Sequence, residues 1–362
     1  MVDWSKSPAA ILTDLSPVAR WIRRLCIAGV LLCFTVVVLG AYVRLTAAGL
    51  GCPDWPGCYG HLTPAGAAAS ADTAFPGKPL EPGKAWREMI HRYAVGTLSL
   101  IVILVTALAL AARRQQPVRT LALALFATLI LQALLGMLTV TWRLNPLIVT
   151  LHLLFGMTTL ALLWWLLLSL RRGPSGVAAA YVADHTLRGS TAPTLALARR
   201  LTLIGLLALA LQIALGGWTS SNYAAVACPD FPTCQKSWWP HADFRNAFIL
   251  WRGLKVNYEG GVLDNSARVA IHLTHRLGAL VTTVALALAA LFVLRRRSLP
   301  AVRPRAWAVL AALALQLTIG ITMVLSTFPL WLATAHTAGA ALLLLATLAL
   351  LRVLRPRVRA PA

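Results

Sequence analysis

Four histidines recur in two register-matched pairs. His91 and His152 belong to the first half of the chain, and His275 and His336 follow them at a constant offset of 184 residues. All four fall in or at the edge of apolar stretches, where an ionisable side chain is rare and usually functional. His91 and His275 sit about one turn inside their stretches, and His152 and His336 near the starts of theirs. If the stretches are helices that enter from one side, the four imidazoles share one depth. Two neutral imidazoles on facing helices can grip a heme iron from both sides, with the porphyrin between the helices. The competing reading is a set of buried, hydrogen-bonded histidines, which accounts for a single residue better than for four in matched pairs. Zinc fits poorly, because neither pair has a third or fourth His, Cys or carboxylate at ligand spacing.

The neighbours of these histidines add chemistry. Arg92 and Arg276 directly follow a candidate ligand. A guanidinium there suits a heme propionate, since the two make charge-assisted, bidentate bonds; the alternative is snorkelling at the membrane interface. Glu88 precedes His91 by three residues and so shares its helix face. At the equivalent position the second half has His272. A carboxylate within the membrane boundary is costly unless paired, solvated or protonated, which makes Glu88 the candidate catalytic acid. Its bland reading is an ion pair with Arg87 or Arg92. His272 suits either a hydrogen bond near the second heme or a helix-end cap. Because only the first half carries the acid, that half is the candidate for chemistry and the second for a resident cofactor. His61, His185 and His241 fall in loops and are read as unremarkable.

Two loops repeat the motif CPD[WF]PxC, at Cys52–Cys58 and Cys228–Cys234. Their prolines favour tight turns that bring the sulfurs together, and an oxidising compartment would close a disulfide in each. Thiol–disulfide exchange is the alternative role. Cys26 and Cys33, seven residues apart in an apolar stretch, are read as reduced packing residues.

The elements that must position these groups are membrane helices. Of 362 residues 59% are hydrophobic and 12% charged, a balance unlike that of a soluble domain. Eight apolar spans of about 20 residues, the length that crosses a bilayer, are read at 25–46, 88–112, 118–142, 148–170, 201–221, 268–294, 305–326 and 330–351. The first is too long for a cleavable signal and lacks a cleavage site. The net charge of +22 is not a nucleic-acid footprint, because no soluble surface exists to carry one. Arg113–Arg114, Arg171–Arg172, Arg199–Arg200 and Arg295–Arg297 flank helix ends on one side, while eight of the eleven acids fall on the other. This is the positive-inside pattern, which puts both termini in the cytoplasm and the cysteine loops outside.

The spans form a tandem repeat. The offset is 176 residues through the cysteine loops and 184 from His91 onward, so the extra residues lie between Cys234 and Arg268. An even number of helices per copy makes the copies parallel rather than inverted. The fold class is therefore an all-α integral membrane protein, with eight transmembrane helices as two tandem, parallel four-helix bundles whose cores hold cofactors. The expected division is 1–24, an N-terminal cytoplasmic segment; 25–171, the first bundle; 172–200, a linker; 201–352, the second bundle; and 353–362, a basic tail. Gln132, Gln212 and Gln316 each precede a glycine by one turn, at Gly136, Gly216 and Gly320. Such pairs allow close helix approach and cross-helix hydrogen bonds.

Taken together, Tyr42-Val43-Arg44-Leu45-Thr46, Gly49-Leu50, the Cys52–Cys58 loop, Glu88-Met89-Ile90-His91-Arg92, Thr150-Leu151-His152, His272-x2-His275-Arg276 and Ala335-His336 resemble the heme A synthase family, over about residues 25–350. The resemblance implies oxidation of the C8 methyl of heme O to a formyl group, giving heme A for terminal oxidases. It implies a heme b cofactor on His275 and His336, with Arg276 and His272 beside it. It implies substrate heme on His91 and His152, with Arg92 nearby and Glu88 acting at the oxidised methyl, by stabilising a cation or relaying a proton. Heme O synthase is the expected donor, the bacterial inner membrane with periplasmic cysteine loops the expected location, and a quinone or other electron acceptor and a homo-oligomer remain open partners. Membrane lipid is a partner and nucleic acid is not. The competing class is a di-heme cytochrome b electron carrier, which would normally place its hemes at two depths; a heme transporter is a weaker third reading.

Overall fold

The computed structural model describes residues 17–68, 71–111, 116–170, 192–254 and 256–355. His185, the arginine pairs at 113–114 and 171–172, and most of the expected N-terminal segment, linker and tail lie outside them. Among the described residues eight helices are long and apolar enough to cross a membrane. They are α1 (Pro17–Leu45), α2 (Pro82–Ala111), α3 (Gln116–Thr141), α4 (Pro146–Ser169), α5 (Ala192–Ser221), α6 (Asn265–Arg295), α7 (Arg303–Leu325) and α8 (Leu330–Val353). Pro17, Pro82 and Pro146 open their helices, where a missing N–H costs nothing. Asn145 caps α4, its side chain accepting from the Leu147 amide at 3.0 Å. Several helices start before their apolar spans: α2 begins at Pro82 rather than 88, and α5 at Ala192 rather than 201. Hydropathy marks only the segment that suits lipid, while the turns carrying Lys84, Arg87, Arg199 and Arg200 are still good helix formers.

Helices α1–α4 close a ring in which α1 packs on α2 and α4, and α3 packs on the same two. Helices α5–α8 close a second ring in the same order, and the rings meet where α4 packs on α5 and α8, and α1 on α8. One buried cluster runs through both, from Val30, Val102 and Leu163 to Leu286 and Leu343. The Trp164 indole donates to the Leu345 carbonyl at 3.0 Å, tying α4 to α8. Leu31, Leu100, Ile130, Leu207, Leu211 and Leu280 point outward and stay exposed, as a lipid-facing surface requires.

The duplication extends to the backbone of the loops. Non-glycine residues with left-handed φ recur at repeat-equivalent positions: Ala47 and Tyr223, Tyr59 and Gln235, Arg143 and Thr327, Leu144 and Phe328. Each cysteine loop contains a cis proline, Pro56 or Pro232, and an antiparallel bridge, Cys58 to His61 or Cys234 to Ser237. The unrepeated stretch after the second loop runs through a short helix, Phe244–Ala247. It then crosses to the first ring, where Trp251 meets Trp142 edge-on at 5.3 Å and the Tyr258 amide donates to the Arg143 carbonyl at 3.2 Å.

Candidate functional site

The four histidines lie on α2, α4, α6 and α8, all toward the end of the molecule that bears the cysteine loops. Within each ring the two are close enough to interact electrostatically, His91 with His152 and His275 with His336. Each imidazole faces a glycine on the preceding helix. A Cβ at Gly40 would come 3.1 Å from Cε1 of His91, at Gly136 3.4 Å from His152, at Gly216 3.2 Å from His275 and at Gly320 2.9 Å from His336. These glycines leave the rings room that any larger residue would take. None of the four residues is fully buried, yet Nδ1 of His91, His152 and His336 is sealed from solvent without a hydrogen-bond partner. Unsatisfied polar atoms of this kind usually mark a site built for something else. Among the described residues no cluster of three or more His, Cys, Asp or Glu could hold a bare metal ion.

Glu88 is 5% exposed and fully engaged. One carboxylate oxygen pairs with Arg92 at 2.5 Å, and the other accepts from the Cys52 amide at 2.9 Å. Arg92 also donates to the carbonyls of Asp54 at 3.0 Å, Pro56 at 3.2 Å and Gly57. Arg276 repeats this one four-helix unit later, donating to the carbonyls of Asp230 at 2.7 Å, Thr233 at 2.7 Å and Cys228 at 3.1 Å. Apart from the Glu88 pair, the contacts the structure gives both arginines are to the cysteine loops; a role beside heme propionates belongs to the proposed scheme. The reason is local. A tight loop rich in proline has few amides to offer its own carbonyls, and a guanidinium supplies the missing donors.

Both loops are closed by disulfides, Cys52–Cys58 with Cα atoms 4.8 Å apart and Cys228–Cys234 with 4.6 Å, while Cys26 and Cys33 are free and buried. Inside the first loop, Asp54 accepts from the amides of Tyr59 and Gly60 at 2.6 and 2.7 Å. Inside the second, Asp230 accepts from Gln235 at 2.6 Å and Lys236 at 2.9 Å, and from the Thr233 hydroxyl, which together hold its carboxyl below the usual carboxylate range. At Gly51 a Cβ would collide with the Lys84 backbone, so the first loop lies directly on α2.

His272, 5% exposed, does not act as a terminal cap; it lies two turns inside α6, edge-on to the Phe328 ring at 6.4 Å. Two features escaped the sequence reading. Gly40 packs against the His91 imidazole, which its position 176 residues before Gly216 could have signalled. Arg44 spans the two rings, donating to the Ser220 carbonyl at 2.8 Å and covering the Tyr223 ring at 4.0 Å.

The model of the cytochrome oxidase assembly protein family COX15-CtaA matches residues 23–348. The heme A synthase of Shewanella oneidensis is 42% identical over 328 residues, covering 90% of this chain and 93% of its own. That of Geobacillus kaustophilus is 27% identical over 307 residues, covering 83% and 81%. The Listeria monocytogenes heme A synthase is 34% identical over a shorter stretch of 125 residues.

Proposed function

The chain belongs to the COX15-CtaA cytochrome oxidase assembly family, and from that membership and its site we propose that it is a heme A synthase, oxidising the C8 methyl of heme O to a formyl group. The observation that carries the reading is the pair of glycine-backed imidazole sites, only one of which has a carboxylate beside it. The protein is a multi-pass membrane protein; we propose a bacterial inner membrane as its location, and the charge asymmetry of its loops supports cytoplasmic termini and periplasmic cysteine loops.

In this reading His91 and His152 hold the iron of the substrate, heme O, which heme O synthase would supply. His275 and His336 would hold heme b. The residues fit such a group: His91, His152 and His336 leave a buried Nδ1 without a partner, and each imidazole has the space a glycine leaves. When bound, heme b supplies one-electron redox chemistry. The chain's own groups do the rest. The imidazoles orient the substrate, and the apolar walls of the ring exclude water from it. Glu88, one turn from His91 toward the loop, offers a carboxylate that can offset positive charge at the substrate edge or accept a proton. Arg92 and the Cys52 amide fix its direction. At the equivalent position His272 offers no such anion, which supports placing the chemistry in the first half. In this scheme Arg92 and Arg276 anchor the loops and stand beside the heme propionates.

The test is pigment analysis in cells that make heme O. Wild-type protein should yield heme A together with heme B. Glu88→Gln, which keeps size and hydrogen bonding, should retain bound heme but lose most heme A. Heme A at the normal level in that variant removes Glu88 from the chemistry. Two equivalents of heme B and no heme A in wild-type cells favour the electron carrier instead.

A further inference from the structure

Three of the four imidazole positions are pinned by a glutamine from the neighbouring helix, and the fourth is not. Gln132 donates to the His152 carbonyl at 3.0 Å. Gln212 donates to the His275 carbonyl at 2.9 Å and lies 3.1 Å from its Nδ1. Gln316 lies 3.3 Å from Nε2 of His336. Each amide occupies a notch one turn beyond its histidine: at Gly156, Gly278 and Gly339 an added Cβ would crowd or overlap the glutamine. Each leaves its Oε1 buried without a partner, an acceptor in reserve for an imidazole N–H.

At His91 both halves of the device are replaced. The residue 176 before Gln212 is Val36, and the residue 184 before Gly278 is Ala94. Valine cannot hydrogen-bond, and the alanine methyl fills the notch that a glutamine would need. Val36 is buried in the core and His91 Nδ1 is left without a partner. The two changes go together as a size swap, Gln with Gly against Val with Ala. The second half thus has two pinned imidazole rings, and the first has one pinned only through its backbone and one not at all.

We propose that Val36 and Ala94 make His91 the releasable ligand, so that the first site exchanges its tetrapyrrole while the glutamine–glycine pairs of the second site retain theirs. The inference rests on the heme-ligation reading above. Gln212, Gln316 and Val36 are positioning residues in it, acting through the histidines. It explains how two sites with the same ligands can serve one as a turnover site and one as a cofactor site. A substrate must leave after reaction, and a resident group must not.

The experiment uses full-length protein in nanodiscs, loaded with ferric protoheme and mixed with excess apomyoglobin as acceptor, and follows transfer by absorbance. Wild type should lose heme in two phases, fast from the first site and slow from the second. Val36→Gln with Ala94→Gly, which moves the pin into the first half, should slow the fast phase about tenfold, the worth of one or two hydrogen bonds. Gln212→Val with Gly278→Ala, the reverse swap, should speed the slow phase and leave the fast one. The second variant stands on its own if the first fails to insert. A biphasic wild type whose phases neither swap moves would overturn the retention device while leaving heme ligation intact. A wild type that binds no low-spin heme removes the ligation reading itself.

Discussion

At the residue scale the two arginine anchors look alike but carry different loads. Arg92 neutralises a buried carboxylate as well as holding its loop, whereas Arg276 serves a helix with His272 in the acid's place. Removing one partner of a buried pair strands the other's charge and costs about 3–5 kcal/mol, while lost hydrogen bonds to a charged donor cost about 1.5–3 kcal/mol each at most. Arg92→Gln should therefore lower the unfolding temperature in detergent more than Arg276→Gln. The order should reverse or vanish when Glu88→Gln is added to the first, because the stranded charge is then gone. Equal losses with and without Glu88→Gln would show that the pair contributes nothing beyond loop anchoring. The sequence displayed every member of this network: the histidines, the acid and the arginines were all found by spacing. What it hid was direction. Spacing puts Arg92 beside His91, but only the loop carbonyls of Asp54, Pro56 and Gly57, left without amides of their own, reveal which way the guanidinium turns.

At the element scale, helix length fixes the depth of the loops. From Arg92 to Ala111, and again from Arg276 to Arg295, the rise is roughly 28 Å at 1.5 Å per residue, close to one hydrocarbon thickness. The anchored loops therefore rest at the boundary between acyl chains and headgroups. Each presents apolar side chains there at matching positions: Trp55 and Leu62 in the first, Phe231 and Trp238 in the second, with Leu62 83% and Trp238 75% exposed. A spin label at Leu62→Cys or Trp238→Cys should collide more with membrane-dissolved oxygen than with a water-soluble nickel chelate. A label at His241→Cys, a residue further along the same outer stretch, provides the comparison. Labels at 62 and 238 that see mainly nickel would place the loops in open water. The helices themselves were plain from their apolar length. Their true starts were not, because polar turns such as Lys84 to Arg87 continue α2 without changing its hydropathy from that of a loop.

At the scale of the whole molecule, duplication gives two similar sites, and in the proposed scheme a few unequal residues divide the work between them: Glu88 against His272 for the chemistry, and Val36 with Ala94 against Gln212 with Gly278 for the exchange. The unrepeated outer stretch then ties the halves together, through Trp251 on Trp142 and Tyr258 on Arg143, and Arg44 does the same from α1 to α5. Self-comparison of the sequence located the repeat and its extra residues but could assign that stretch no role, since it has no copy to be read against and its partners are distant in the chain. Every functional statement depends on paired imidazoles gripping iron. Electron paramagnetic resonance of the purified, ferric protein tests this most directly, comparing wild type with His275→Ala plus His336→Ala. The account predicts a bis-imidazole low-spin signal in wild type, with the second-half component absent from the double variant and the first-half component retained. An unchanged signal after both replacements, or no low-spin heme in wild type, would contradict it.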